Sequence, residues 1–158
     1  MTPDPVLLLV EDDESDVLFL KRAFQKAGAT FRLQVAQTGR DAIAYLAGEG
    51  AYADRSAFPA PTHVLLDLNL PEKPGLEVLE WIRSVPALSG IHVSILTSSR
   101  ESRDLRRGRE LGAECYLVKP MSFAVLLDLA RSLNEWIRTG QIPPAWEWPA
   151  EVSGRSTK

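Results

Sequence analysis

The side chains best suited to chemistry in this sequence are acidic, hydroxyl and cationic groups that each follow a short apolar run. Glu11 and Asp12 follow the first run, Asp67 follows a later one, and Thr97 and Lys119 follow two more. Crowded carboxylates repel one another, and a hard divalent cation such as Mg2+ relieves that repulsion while it keeps some of its water ligands. A metal, a lysine and a hydroxyl around one carboxylate are the groups that phosphoryl transfer onto that carboxylate requires, with Asp67 as the nucleophile.

Each of these groups also has an ordinary structural explanation when it is considered alone. Acidic residues that open a helix commonly cap it or stabilise its dipole, which would explain residues 11–16. Thr-Ser-Ser after a strand is a frequent turn or cap, and Lys-Pro after a strand is a weak signal by itself. Asp67 is less ordinary, because a charge directly after a buried strand must be satisfied. The combination at four strand ends therefore favours a phosphoryl-transfer site.

The elements that must position these residues alternate between apolar runs and helical periodicity. Strands are predicted at residues 6–10, 31–35, 62–66, 91–96 and 115–118, with helices between them and a last helix over residues 122–138. This alternation favours parallel strands joined by right-handed crossovers. The predicted fold class is α/β, a flavodoxin-like (βα)5 three-layer sandwich with a five-stranded parallel sheet. Ligands of such sheets lie outside the carboxyl ends of the strands.

Length and composition limit the classes of protein that this chain can represent. Its 158 residues make about one domain, predicted over residues 1–139, followed by a Pro/Trp-rich extension over residues 140–158 that is partly disordered, above all at residues 154–158. The net charge of −3 disfavours nucleic acid or an anionic membrane as a partner. The apolar runs are far shorter than the ~20 residues of a membrane span. With Cys115 as its single cysteine, the chain is expected to be a cytoplasmic protein without an internal disulfide.

Taken together, the motifs resemble the receiver domain of the two-component response-regulator family. The matching segments are Leu-Leu-Val-Glu-Asp-Asp at residues 8–13, Leu-Leu-Asp-Leu-Asn-Leu-Pro at 65–71, Ile-Leu-Thr-Ser-Ser at 95–99 and Tyr-Leu-Val-Lys-Pro at 116–120. The resemblance covers residues 5–139. It implies a signalling protein, not an enzyme, that accepts a phosphoryl group from a histidine kinase in a magnesium-dependent reaction. Such a protein signals through protein–protein interaction or a phosphorelay.

The resemblance also implies a metal site with Mg2+ as its cofactor. It makes Asp67 the phosphoacceptor and Asp12 a direct metal ligand, while Glu11 acts on the metal through water. The main-chain carbonyl of Asn69 completes the protein's share of the site. Asp13 lies one place past the acidic pair and is predicted to cap the first helix.

A second group of residues is implied to respond to the phosphoryl group. Lys119 pairs with it, Thr97 turns its hydroxyl toward it, and Tyr116 repacks when Thr97 moves. The bond between Lys119 and Pro120 is expected to be cis. A long connection at residues 48–61 and the Trp/Pro-rich tail narrow the resemblance to stand-alone regulators paired with phytochrome-type histidine kinases.

Two other classes of protein share parts of this pattern. A phosphatase of the haloacid-dehalogenase type also forms an aspartyl phosphate, but its second aspartate acts as general acid, and here Asn69 stands two residues after Asp67. A flavodoxin-like flavin carrier needs a Ser/Thr/Gly loop after the first strand, where this chain is acidic. The phosphatase is the alternative function that the sequence leaves open.

The last helix is apolar over a wider arc than one packed face requires. On a helical wheel, the stripe predicted to cover the sheet consists of Phe123, Leu126, Ala130, Leu133 and Ile137. The residues to one side of it, Val125, Leu129 and Trp136, need another cover. Either the tail covers them with Trp146 or Trp148, or a second copy does so. We predict the second arrangement, a homodimer in which Val125, Leu129 and Trp136 lie in the interface between the two copies.

Overall fold

The computed structural model describes residues 4–148, which form a five-stranded parallel sheet with helices on both faces. The strands are β1 (Val6–Val10), β2 (Arg32–Ala36), β3 (His63–Leu66), β4 (His92–Thr97) and β5 (Cys115–Val118). Between and after them, in this range, lie the α-helices α1 (Glu14–Lys26), α2 (Gly39–Ala47), α3 (Gly75–Ser84), α4 (Ser102–Glu110) and α5 (Phe123–Thr139). The strand order is β2-β1-β3-β4-β5, and every neighbouring pair is parallel. The predicted fold class is confirmed.

The apolar run of β1 lies at the centre of two hydrophobic cores. Successive side chains of a strand point to opposite faces of the sheet. Leu8 and Val10 accordingly pack with α2 and α3, whereas Leu7 and Leu9 pack with α1 and α5. Because both faces of β1 are covered, all of its residues are apolar and buried.

Local signals set where several helices begin and end. Thr38 caps α2 by accepting a hydrogen bond from the main chain of Asp41, and Ser122 caps α5 in the same way through Val125. Gly48 ends α2 with a φ of 68°, a left-handed conformation that glycine adopts without strain.

The long connection at residues 48–61 is packed against the domain. Tyr52 and Phe58 form an aromatic cluster with Tyr45 of α2, with ring centroids 5.0–6.0 Å apart. Arg55 donates hydrogen bonds to the main-chain oxygens of Leu46 and Phe58. The connection therefore extends the core beneath the short helix α2.

The carboxyl-terminal half of α5 and the tail contradict part of the predicted dimer surface. Trp136 is only 2% exposed, and its ring lies edge-on to His63, His92 and Trp146, with centroids 5.8–6.3 Å away. The prediction that Trp136 lies on an exposed dimer surface is wrong. Val125 is 54% exposed and Leu129 is half-buried, so these two side chains are still accessible to a second copy of the chain.

The reason for this error is the direction in which the buried stripe of α5 runs. Its buried residues are Leu127, Ala130, Leu133, Trp136 and Ile137. Most of them are three positions apart, so the stripe rotates around the helix. Trp136 thereby reaches the amino ends of β3 and β4, while Phe123 at the other end is 40% exposed instead of covering the sheet.

The tail packs on the domain as far as it is described. A short 3-10 helix, Pro144–Trp146, places Trp146 against Trp136. Trp148 donates from its indole nitrogen to the main-chain oxygen of Ala113 at 2.8 Å, and the Arg109 guanidinium lies 5.3 Å from its ring centroid. The predicted disorder at residues 154–158 concerns positions outside the described residues. Within residues 4–148, no helix has the combined length and hydrophobicity of a membrane span.

The stacked pair His63 and His92 predicts a pH dependence of stability. Burial, together with the neighbouring His92, lowers the pKa of His63 from 6.5 to about 4. The unfolded chain takes up this proton near pH 6.5 but the folded protein only near pH 4, so the contribution to stability is complete above pH 6.5 and is lost as the pH falls to 4. We expect the wild type to lose ~1–3 kcal/mol more unfolding free energy between pH 7 and pH 4 than His63→Phe. Urea denaturation at both pH values measures this difference, and parallel pH profiles for the two proteins would contradict it.

Candidate functional site

The acidic site is built where β1 and β3 end side by side. Val10 pairs with Leu66, so Glu11 and Asp67, the residues that follow them, are neighbours at the carboxyl edge of the sheet. The main-chain nitrogen of Asp67 donates to the oxygen of Val10 at 3.1 Å, which holds the two strand ends together. Carboxylate oxygens of Glu11, Asp12 and Asp67 all lie within 4.8 Å of one another.

Asp13 sets the register of the acidic segment. Its side chain accepts a hydrogen bond from the main-chain nitrogen of Asp16 at 3.0 Å, as expected of the residue that caps α1. Its own main-chain nitrogen donates to Glu11 Oε2 at 3.2 Å. The predicted capping role of Asp13 is confirmed, and Glu11 and Asp12 are consequently the pair that joins Asp67.

Lys119 is the cation of the site. It follows β5, and its ammonium nitrogen lies 2.8 Å from Glu11 Oε1, 2.8 Å from Asp16 Oδ2 and 3.0 Å from Asp67 Oδ2. Lys119 was predicted from the sequence to lie beside the acidic residues, whereas Asp16 was predicted only as one of the acidic residues that open a helix. Its position could have indicated this contact, because Asp16 lies in the first turn of α1, four residues after Asp12.

Burial and charge oppose each other in this cluster. Glu11 is 1% exposed, and burial raises the pKa of its carboxyl to about 7; the hydrogen bond from Lys119 acts against this shift, and the charge of Asp67 adds to it. Burial also acts against the charged form of Lys119. Its hydrogen bonds to Asp16, Glu11 and Asp67 outweigh burial, so the pKa of Lys119 is raised. The lysine is therefore charged, and the carboxylates around it outnumber it.

The donor set suits a hard divalent cation. Glu11, Asp12 and Asp67 offer carboxylate oxygens, the type of ligand that Mg2+ and Mn2+ prefer. The main-chain nitrogen of Asn69 donates to Asp67 Oδ1 at 3.3 Å, so the backbone at Asn69 lies beside the same carboxylate. A cation among these oxygens would offset the negative charge that Lys119 alone leaves uncompensated.

Thr97 and Tyr116, the predicted switch residues, meet at the loop after β4. Thr97 is fully buried, and its hydroxyl accepts a hydrogen bond from the main-chain nitrogen of Ser99 at 3.4 Å. The Tyr116 hydroxyl donates to the main-chain oxygen of the same Ser99 at 3.1 Å. Ser99 also donates from its own hydroxyl to Asp104 of α4 at 2.7 Å. One residue therefore connects the threonine, the tyrosine and α4.

The expected cis bond between Lys119 and Pro120 is not found. Within residues 4–148 the backbone contains no cis peptide bond, so this expectation is wrong. The trans bond is compatible with the site because Lys119 reaches all three carboxylates. Its main-chain nitrogen also continues the pairing of β5 with β4 by donating to the oxygen of Thr97 at 2.9 Å.

An apolar cleft of about 340 Å3 opens beside the acidic site. Asp16 and Lys119 lie on its lining together with residues of α1, the loop after β5 and the start of α5. Phe19 and Met121 from this lining are 46% and 99% exposed. The charged site is therefore bordered on one side by exposed apolar surface.

A response regulator receiver domain has this combination of a five-stranded parallel sheet and an acidic site at its carboxyl edge, and residues 7–131 match the family described as "Response regulator receiver domain". The chain belongs to this family. It is 34% identical over 144 residues to the response regulator Rcp1 of Synechocystis sp., a match that covers 90% of this chain and 96% of Rcp1. The alternative of a haloacid-dehalogenase-type phosphatase receives no support from these comparisons.

Solved structures agree with this assignment. The phosphorylated cyanobacterial phytochrome response regulator RcpA superimposes with a TM-score of 0.80 at 31% identity, over 90% of this chain and 99% of that one. The Mn2+-bound form of Rcp1 superimposes with a TM-score of 0.78 at 34% identity, over 88% of this chain and 99% of that one. The predicted resemblance to response regulators associated with phytochromes is confirmed.

Gly75, the first residue of α3, makes a close contact on which the position of Asp67 depends. A Cβ atom at Gly75 would overlap the main-chain carbonyl oxygen of Asp67, whereas a Cβ at Gly90 would meet nothing within 4 Å. We expect Gly75→Ala to lower the unfolding free energy by ~1–3 kcal/mol. The matched control Gly90→Ala is expected to be neutral or to stabilise by up to ~1 kcal/mol. Urea denaturation of both variants tests this, and equal stabilities would contradict the close contact.

Proposed function

We propose that this response regulator accepts a phosphoryl group on Asp67 from a histidine kinase, in a reaction that requires Mg2+. The observation that carries the proposal is the surroundings of the Asp67 carboxylate. Its Oδ2 atom lies 3.0 Å from the Lys119 ammonium, its Oδ1 atom accepts from the Asn69 main chain, and the carboxylates of Glu11 and Asp12 stand beside it. A carboxylate oxygen of Asp67 would attack phosphorus as the phosphorus–nitrogen bond of the kinase phosphohistidine breaks.

The other residues of the site would hold the transferred group. Lys119 supplies a positive charge for a phosphoryl oxygen, and the Thr97 hydroxyl at the end of β4 supplies a hydrogen bond once it turns toward the group. Mg2+, held by Glu11, Asp12, Asp67 and the carbonyl of Asn69, would neutralise further phosphoryl charge. These residues need to supply only position and charge, which is the main requirement of phosphoryl transfer.

The signal would leave the site through the loop after β4. A Thr97 hydroxyl that turns toward the phosphoryl group gives up its contact with the Ser99 main-chain nitrogen. The Ser99 main-chain oxygen accepts from Tyr116, and the Ser99 hydroxyl donates to Asp104 of α4. A change at Thr97 would thus reach the surface of α4 and β5. The phytochrome association of RcpA supports a phytochrome-type histidine kinase as the partner.

Replacement of Asp67 tests the phosphoacceptor directly. We expect Asp67→Asn to reduce labelling by acetyl phosphate to background, because an amide oxygen is too weak a nucleophile to form the acyl phosphate. Chelation of Mg2+ is expected to stop labelling of the wild type as well. The measurement is acid-stable, base-labile incorporation of phosphate. The exposed Asp128→Asn is the control and should label as the wild type does. Labelling that survives in Asp67→Asn would refute the proposal.

We further propose that the protein self-associates through the exposed apolar start of α5. Of the predicted dimer residues, Val125 is 54% exposed and Leu129, one turn further along the same face, is half-buried. Sedimentation velocity should detect a dimer of the wild type at micromolar concentration, and Val125→Glu should weaken it because a charge would be buried in the interface. A wild type that stays monomeric, phosphorylated or not, would contradict this.

A further inference from the structure

All three N–H donors of the Lys119 ammonium group are used in the structure. A lysine ammonium carries three N–H donors and no acceptor. Here three carboxylates, those of Glu11, Asp16 and Asp67, lie within 3.0 Å of its nitrogen. Once phosphorylated, Asp67 is an acyl phosphate, so the donor that its carboxylate used passes to one phosphoryl oxygen. A second phosphoryl oxygen can bind the ammonium only if Glu11 or Asp16 gives up its hydrogen bond.

Glu11 and Asp16 differ in what it costs to release them. The side chain of Glu11 is 2% exposed, and a buried carboxylate that loses its cation is strongly destabilised. The side chain of Asp16 is 35% exposed and borders the cleft of about 340 Å3 beside α1. It therefore has water to hydrate its charge and space to move into. Asp16 is the partner that Lys119 releases most easily.

We propose that Asp16 is a positioning residue that occupies Lys119 in the unphosphorylated protein and is displaced from it by the phosphoryl group on Asp67. This inference rests on the proposed function of Asp67. While it is bound, Asp16 keeps the ammonium beside Glu11 and Asp67 and completes its hydrogen bonding. Its negative charge also competes with every incoming anion for the same donor. Asp16 would consequently weaken anion binding at the site and shorten the time for which Lys119 holds the phosphoryl group.

A purely structural role of Asp16 has to be distinguished from this one. Asp16 lies in the first turn of α1, where an acidic side chain stabilises the helix dipole. Glu14 lies in the same turn and carries the same charge, but Lys119 contacts Asp16 and not Glu14 in the structure. Glu14→Ala is therefore the matched control, because it removes a charge from the same helix end and leaves Lys119 unchanged.

The test uses beryllium trifluoride, a tetrahedral mimic of the phosphoryl group that binds a carboxylate without phosphoryl transfer. We expect Asp16→Ala to bind it in the presence of Mg2+ ~5–30-fold more tightly than the wild type, as measured by calorimetry, because one charge-assisted hydrogen bond no longer competes. Glu14→Ala should stay within ~2-fold of the wild type, since exposed charges that make no direct contact are largely screened. Asp16→Asn keeps the shape without the charge and should fall between the wild type and Asp16→Ala.

The outcomes separate this inference from the proposed function. If Asp16→Ala and Asp16→Asn both bind beryllium trifluoride as Glu14→Ala does, the role of Asp16 is overturned, while labelling of the wild type and not of Asp67→Asn still supports the phosphoacceptor. If the wild type neither binds the mimic nor takes up label, both proposals fall. A lifetime of the phosphorylated state that is longer in Asp16→Ala than in Glu14→Ala supports the displacement of Asp16.

Discussion

The ammonium of Lys119 is the charge on which the functional edge of this protein depends. Two of its carboxylate partners, Glu11 and Asp67, are almost completely buried, and a buried carboxylate without a cation costs several kcal/mol. The sheet can bring these acids together at the ends of β1 and β3 only because a cation reaches them. One ammonium does not neutralise all the carboxylates around it, so the site is acidic overall and its oxygen ligands suit a divalent metal ion.

The strand order explains why a lysine at the end of β5 can supply that charge. β5 is separated from β3 by β4, so only a long side chain from the end of β5 spans the distance to Asp67. Ile95 of β4 pairs with Leu66, and β4 continues two residues further to Thr97. Thr97 thereby lies at the end of the strand between β3 and β5, which carry Asp67 and Lys119 at their ends. The acidic residues, Thr97 and Lys119 share one edge of the sheet because the four neighbouring strands β1, β3, β4 and β5 end there.

Close contacts join α4 to β4 and β5. Gly108 of α4 lies so close to β4 that a Cβ atom would come within 2.7 Å of Ile95, and its next neighbour is Tyr116. A glycine that weakens a helix by up to ~1 kcal/mol therefore has a packing reason here. The tail packs against the end of the same region through Ala113 and Trp148. Movement of α4 would have to accommodate all of these contacts.

Local patterns in the sequence are sufficient to predict the sheet, the order of its elements and the residues at the strand ends. Apolar runs and helical periodicity are local properties, and parallel pairing brings the residues after each strand to one edge, so Glu11, Asp67 and Lys119 could be placed together. The folded structure is needed to show that Asp16 binds Lys119, which is 103 residues away along the chain, and that Trp136 packs against Trp146. The physical reason is that periodicity records which face of a helix is apolar, whereas the element that covers that face, and the partner that a polar side chain reaches, depend on distances in the folded chain.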